Sequence, residues 1–552
     1  MIKPSTLTWE IDMAKFFYFF HIVFSENLQN KKEAINLKKM ITVVLCMLLI
    51  LALTACNDKK DNESDSIAKT EQDDTVDKVS ALNVRIGDGY ISDTDVDTDI
   101  GAYYFTGSLF YGDEDRYPAL ARSLSQLSNE EKSLQKVARK ELCDLILDSD
   151  AEIDLSNSND AFVFENTSVK RADSVAFSVL LETGKFIEGI EEDICYKGRT
   201  YDTKSGKRLK LKDVVTDLEK LPSLISAQLD RHWGDIAFSE DVDLLTEITA
   251  DTFEGWTLDY NGLSLYFNSM QLAAYKGMQN ITLSFDEYPE LVKPEYKNVP
   301  ESYGFQLAKN VPVYIDVTGD NQPDEVIVSC VGSTYGDDSL VEIYINGNSY
   351  TENIFFYSSK EYIVKSKTGE YLLCVETISE GDWKETYYLN LSRFGKLEGS
   401  IYSYMRGMYY ENPDCPYMSD VLTNPEEFYM CTRTNLGGTV VGFKRYSLSN
   451  GKVPATDDNM FVFEEEGRLK YTLLCDISAK VYDEKTKTVT SDIILESGSS
   501  LLYFGTDDER YLYFMKEDGS QYYRVEVVLD EYFATLDGKT LDLVFDGLLY
   551  AG

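Results

Sequence analysis

Five oxygen-bearing side chains alternate along "DVTGDNQPDE" at 316–325: Asp316, Thr318, Asp320, Gln322 and Asp324, with Gly319 among them. That pattern suits a hard divalent cation, because alternate side chains point inward while a glycine lets the backbone turn around the ion. Calcium is the ion such a loop would hold, and an Asp-rich hairpin turn without an ion is the alternative. Thr318 in place of an acid, and Pro323 inside the loop, depart from the pattern.

Other chemistry is harder to assemble. A Ser or Cys nucleophile needs a base, and His232 is the one histidine beyond residue 56. It falls one turn past Leu229 on the apolar side of an expected helix, which suits a packed or cap-proximal histidine. The G-x-S-x-G, H-E-x-x-H and phosphate-loop motifs are absent from the sequence. Ser133-x-x-Lys136 and Lys204-Ser205-Gly206 look like fragments of penicillin-binding enzymes, but no Ser-x-Asn lies between them. A glycosidase would need a pair of carboxylates, and none stands out among the acids. No catalytic residue is assigned and the chain reads as a non-enzyme. A carbohydrate-active or peptidoglycan-modifying hydrolase with unidentified acids is the alternative.

A covalent modification is better marked. In "LKKMITVVLCMLLILALTAC" (37–56), Lys38 and Lys39 precede an apolar run that ends Leu53-Thr54-Ala55-Cys56. This resembles a bacterial lipobox, in which the cysteine sulfur receives a diacylglyceryl group and cleavage falls just before it. A transmembrane helix usually takes about 20 apolar residues, and this run is shorter. Cys56 is therefore the expected lipidation site, a palmitate-type membrane anchor outside the cytoplasm, since each buried methylene contributes about 0.8 kcal/mol. Residues 1–36 fit no part of a signal. Lys32-Glu33-Ala34 can be encoded by a ribosome-binding sequence and Leu37 by an alternative start codon, so 1–36 reads as an upstream translated region.

Composition narrows the partners. Residues 1–56 hold six Lys/Arg and four Asp/Glu, so the chain beyond Cys56 carries 47 basic against 91 acidic residues, a formal charge of −44. Such a chain repels nucleic acid and anionic surfaces and attracts cations or basic proteins. Seven cysteines remain beyond Cys56, at 143, 195, 330, 374, 415, 431 and 475, with no C-x-x-C spacing. They read as buried free thiols, with one or two disulfides as the alternative.

The elements that must position these groups fall into blocks. Residues 57–79 form an acidic spacer without aromatics. "SNEEKSLQKVARKELCDLIL" predicts a helix beginning at a capping box, Ser128 with Glu131, with Leu134, Val137, Ala138, Leu142, Leu145 and Ile146 on its apolar face. "LPSLISAQLDRHWGD" predicts a second helix, and "ADSVAFSVLLET", "WTLDYNGLSLYFN" and "QNITLSFDEYPEL" predict strands. The expected fold is an α+β module, an antiparallel sheet with helices, over 80–296. A polar Pro-containing boundary at 293–302 follows, then an all-β domain, propeller-like or sandwich, over 300–552.

Several motifs in the first block resemble a known family. They are Tyr201-Asp202-x-x-Ser205-Gly206-Lys207, Leu211-Lys212-Asp213, Gly262-Leu263 with Tyr266-Phe267, Ala273-x-Tyr275-x-Gly277 and Ile281-Thr282-Leu283. Over about 84–296 they are similar to a paired domain-of-unknown-function module of bacterial (Firmicutes-type) lipoproteins. It also forms the ectodomain of the lysozyme-sensing anti-sigma factor RsiV and the non-catalytic part of the deacetylase PdaC. Where that family often carries Gly-Gly-Ala-His, this chain has Glu188-Gly189-Ile190-Glu191. The resemblance implies a cell-envelope location and a peptidoglycan-associated ligand or a cationic wall hydrolase as partner. The end of the chain, "FDGLLYAG", is similar to that of uncharacterised lipoproteins from gut Firmicutes, and 316–324 resembles the Asp-x-Asp-Gly-Asp loops of integrin-type propeller repeats.

Overall fold

A computed structural model describes residues 78–94, 101–111, 115–148, 161–187, 190–234, 243–249, 253–273, 275, 277–332, 339–379, 384–409, 417–448, 452–529 and 533–550. Cys56, the 37–56 leader and most of the 57–79 spacer lie outside these residues, as does Glu188-Gly189.

The first sheet starts as a long hairpin, β1 (Val84–Thr94) with β2 (Gly101–Tyr111), in register Val84↔Tyr111. Helix α1 (Pro118–Asp148) then crosses to β3 (Ala161–Ala172), which runs parallel to β2. Strands β4 (Ala176–Ile187) and β5 (Ile190–Asp202) continue antiparallel.

Helix α1 begins ten residues before the expected capping box. Leu120, Leu124 and Leu127 are buried at helical spacing and carry the helix back to Pro118. A proline at the first helical position loses no intrahelical hydrogen bond. Ser128 therefore lies mid-helix, its hydroxyl donating to the Leu124 carbonyl at 3.1 Å. The face turned inward is 120, 124, 127, 131, 135 and 142, whereas Leu134 and Val137 are exposed.

Next come α2 (Leu211–Val214), α3 (Leu221–Trp233) and α4 (Leu244–Thr249). A small sheet of β6 (Trp256–Leu258), β7 (Gly262–Phe267) and β8 (Gln279–Ser284) follows. Leu221, Ile225 and Leu229 of α3 share a core with Leu263, Leu265, Ile281 and Leu283 of that sheet.

After residue 300 the described elements are strands and short 3-10 turns. β9 (Tyr303–Gln306), β10 (Val313–Ile315), β11 (Asp324–Val331), β12 (Leu340–Ile345) and β13 (Asn348–Glu352) lead into β14 (Ser358–Lys365), β15 (Tyr371–Ile378), β16 (Lys384–Asn390) and β17 (Lys396–Ile401). They make a four-stranded sheet, β10-β11-β12-β13, and a five-stranded one, β17-β16-β15-β14-β9. The β12–β13 hairpin turns on Asn346 and Gly347, both at positive φ, as a tight two-residue hairpin requires.

The five-stranded sheet is buried on both faces. Because side chains alternate along a strand, Ile363, Leu373 and Leu389 face one core with Val326, Ile343 and Ile345 of the four-stranded sheet. Tyr362, Val364, Leu372, Cys374 and Tyr388 join a second core with Val84, Leu124, Val169 and Phe177. That second core runs across the 293–302 boundary. So does the first sheet, since β19 (Gly407–Tyr409) and β20 (Tyr417–Val421), which follow β18 (Tyr404–Met405), extend it beyond β1 in register Val84↔Val421. The strands from Phe428–Thr434 to Tyr522–Glu526, joined by β18 and Phe545–Asp546, build the largest sheet, around Tyr471, Tyr503, Phe514 and Phe545. Most sheets are antiparallel, and among the described residues none closes into a barrel.

Candidate functional site

The densest group of ionisable side chains in the N-terminal half lies beneath the middle of α1. Alternation along β3 puts Val163, Glu165, Thr167 and Val169 on one face, and all four are buried. Glu131 and Gln135, one helical turn apart on the inward side of α1, are buried above them. Gln135 Nε2 donates to Glu165 Oε2 at 2.9 Å. Arg199 of β5, 4% exposed, reaches Glu131 Oε1 at 3.4 Å and Glu254 Oε2 at 3.0 Å. Arg208 holds the other oxygen of Glu254 at 2.6 Å.

The supply of partners runs short at Glu165. Among the described residues, its Oε1, the Thr167 hydroxyl and Arg199 Nε have no hydrogen-bond partner. Burial, and then the charge of Glu131, push the Glu165 carboxyl up to about 7. Burial also raises Glu131, against the pull of Arg199. Burial would raise Glu254 too, but Arg199 and Arg208 together hold it below its ordinary value. Glu165 thus exchanges its proton near neutrality while sealed under a helix. That suits a proton-dependent contact between elements better than catalysis on an outside substrate. The sequence hides this group, because Glu131 reads as a cap residue and no motif singles out Glu165. The available signal was the 120/124/127/131/135 spacing, which continues an apolar face into two polar residues.

The 316–324 residues form a turn between β10 and β11. Asp316 accepts the amides of Gly319, Asp320 and Asn321 at 2.6, 3.1 and 2.8 Å. Asp324 Oδ2 accepts those of Val317 and Thr318, both at 2.9 Å, and Asn346 donates to its Oδ1 at 2.6 Å. Asp320 accepts the amide of Gln322 at 2.8 Å, while Thr318 and Gln322 are exposed. The aspartates are thus brought together, with their oxygens engaged by the turn's own amides. Among the described residues, no group of three or more His, Cys, Asp or Glu is placed to hold a metal.

The remaining candidates take structural positions. His232 packs on the Tyr314 ring at 4.4 Å, with Glu325 at 3.9 Å, and burial lowers its pKa. Ser133 donates to the Asn129 carbonyl within α1. Ser205 donates to Asp202 Oδ1 at 2.6 Å in the turn after β5. Cys195, Cys330, Cys374, Cys431 and Cys475 are free thiols. Burial pushes Cys374 well up and Cys431 up to about 12, so neither supplies a thiolate at neutral pH. A cleft of about 180 Å³ opens between the four- and five-stranded sheets beside Lys309, Cys330, Phe356, Ser359 and Glu361. Ser359 donates to Glu361 there at 2.5 Å, and burial and then the Glu361 charge push the Cys330 thiol up.

The residues that carry the family resemblance build the packing around this region. Gly206, at φ +67°, lies so close to α1 that a Cβ would meet the Ala119 carbonyl oxygen at 2.4 Å. Ser123 of α1 donates to the Gly206 carbonyl at 2.7 Å. Asp213 caps α2 by accepting the Lys210 amide at 3.0 Å, a contact that with Lys207 holds its carboxyl below the ordinary range.

No family model matches the chain, and no curated protein matches it. Solved structures similar to part of it include two DUF3298 proteins. One is a DUF3298 family member from Bacteroides fragilis, 14% identical, covering 39% of this chain and 96% of its own, at a TM-score of 0.29. The other is a DUF3298 family protein from Pseudomonas aeruginosa PAO1, 14% identical, covering 40% and 97%, at a TM-score of 0.27. At these values neither likeness bears on activity.

Proposed function

We propose that this chain is a lipid-anchored, extracytoplasmic binding protein without enzymatic activity. Its partner is a peptidoglycan-associated ligand or, more specifically, a basic wall-active protein of the lysozyme type. The observation that carries the reading is the acid excess. Beyond Cys56, 91 Asp and Glu stand against 47 Lys and Arg, so an excess of 44 negative charges is left unneutralised by internal ion pairing, whatever the fold. Ion pairs such as Lys78–Glu301, Arg231–Glu287 and Arg510–Glu526 take up cations one for one and leave that excess in place. A surface so charged speeds encounter with a cationic partner. The RsiV- and PdaC-like motifs in 84–296 favour that half as the binding surface, and the lipobox favours Cys56 as the anchor.

The test is titration of the 57–552 chain with lysozyme from 0.1 to 1 M salt, with a second basic protein as control. The Debye length falls from about 10 to about 3 Å over that range. A specific interface with an apolar centre keeps most of its affinity. Binding that vanishes at high salt, or that the control protein reproduces, removes the proposal. Labelled peptidoglycan turned over by the same chain would favour the hydrolase alternative. Calcium at 316–324 stands as a proposal on its alternating oxygens.

A further inference from the structure

Helix α1 is buried on its sheet side by apolar and polar residues, and near its end Leu142 is buried and Glu141 pairs with Lys185 of β4. The first half of the helix docks through Leu120, Leu124 and Leu127, all within 2% of full burial. Its middle docks through Glu131 and Gln135 on Glu165 and Arg199, a polar contact that leaves three buried atoms unpartnered among the described residues. We propose that the buried Gln135–Glu165 contact, with the Glu131–Arg199 pair beside it, is a proton-dependent latch, which fastens the second half of α1 to the β3–β5 face when Glu165 is protonated and slackens when it is ionised.

The charges facing Glu165 decide this. From α1 come the Glu131 carboxylate and the neutral Gln135 amide, and from β5, Lys197 and Arg199; Glu254, on the approach to β6, acts on Glu131. Arg199 is engaged by Glu131 and Glu254, and Arg208 by Glu254. Half-buried Lys197 acts on Glu165 only through its field. An ionised Glu165 is left with one neutral donor beside a like charge, a costly state for a buried carboxylate. A proton on Glu165 removes the repulsion and supplies a donor. When the latch opens, that proton goes to solvent.

The sign follows from linkage. The closed form titrates near 7 and the open form near the ordinary 4.5. Closure is therefore favoured in acid, weakens as pH rises through 4.5 to 7, and changes no further above that. For a free carboxyl in the open form, the opening equilibrium grows about 50-fold between pH 5 and pH 7.5.

Hydrogen exchange of the 57–552 chain, corrected for the intrinsic rate at each pH, tests the latch on amides 128–148. Protection is expected to fall by tens of fold from pH 5 to pH 7.5 in the native chain. It is expected to fall much less in E165Q, which keeps the Gln135 contact and leaves only Glu131, also raised by burial, to titrate. In E131Q the fall moves to lower pH. Equal pH dependence in E165Q, or flat protection in the native chain, overturns the proposal. If E165Q does not fold, carboxyl NMR of Glu165 in the native chain decides: a midpoint near 7 supports the latch and one near 4.5 removes it.

Discussion

Arg171 and Asp173, two residues apart at the end of β3, form an ion pair in which neither side chain has exposed surface. Arg171 Nε donates to Asp173 Oδ2 at 2.8 Å. Its Nη1 and Nη2 donate to the carbonyls of Tyr296 and Asn298 at 2.7 and 2.8 Å. Asp173 Oδ1 accepts the amides of Val175 and Ala176 and so shapes the turn into β4. A register shift between Val169 and Arg171 re-aims the strand at this point. The polar stretch 293–302, which reads as a boundary, is thus pinned to the first sheet.

Removing one partner of such a pair strands the other charge in the interior, which typically costs about 3–5 kcal/mol. Asp173→Ala should therefore lower the urea midpoint sharply. Asp173→Asn, which can still accept the turn amides, should fall between it and the native chain. A midpoint for Asp173→Ala close to that of the native chain would show that the pair contributes little.

Gly206 faces two constraints, a positive φ and the backbone of α1 at Ala119. Gly347, also at positive φ, has open space around it. Gly347→Ala should cost about 1 kcal/mol, the backbone strain alone. Gly206→Ala should cost at least about 2 kcal/mol, since α1 must also shift. Thermal melts of the two variants side by side give the comparison, and equal losses would mean that the Ala119 contact yields freely.

What could be read from sequence follows the range of each interaction. The Asn346-Gly347 hairpin is local, specified by two adjacent residues. Helix α3 was legible because its apolar period is unbroken, and Cys374, read as a buried thiol, lies on β15, which is covered on both faces. The start of α1 was misread because Ser128 and Glu131 imitate a capping box while tertiary burial of three leucines decides the helix. Glu165 could not be joined to Glu131 and Arg199, since only sheet pairing brings 131, 165 and 199 together. The pairing of β1 with β20, across more than 300 residues, left no local trace at all.

In the 316–324 turn, Asp316 alone accepts three backbone amides. Asp316→Ala should lower the melting temperature by several degrees even in chelator, because those amides lose their acceptor. If calcium binds as proposed, millimolar Ca²⁺ raises the native melt and leaves that of Asp316→Ala unchanged. An ion held a hundredfold above its dissociation constant adds about 2.7 kcal/mol, well within reach of a melt. A native melt indifferent to both calcium and chelator leaves the amide-capped turn as the whole account.

The membrane anchor is tested by labelling. Cys56→Ala is expected to block incorporation of labelled palmitate and to leave an unprocessed precursor. Palmitate incorporated equally by the variant would remove the lipobox reading.

The last prediction concerns residues 80–296 taken alone. Their sheet would lose β20, which pairs with β1 from Val84↔Val421 to Asp88↔Tyr417. With it goes Asp420, which takes Arg85 Nε at 2.9 Å and Arg406 Nε at 3.2 Å, and the Thr423 hydroxyl, which donates to the Leu82 carbonyl at 2.6 Å. Tyr362, Leu372 and Tyr388 would also leave the core that holds Leu124 and Phe177. An unpaired β1 edge beside uncovered apolar surface is a template for aggregation. The 80–296 fragment should therefore be poorly soluble, and co-expression with 297–552 should recover a soluble complex. A monodisperse fragment that melts as high as the 57–552 chain would mean that the first sheet is complete without β20.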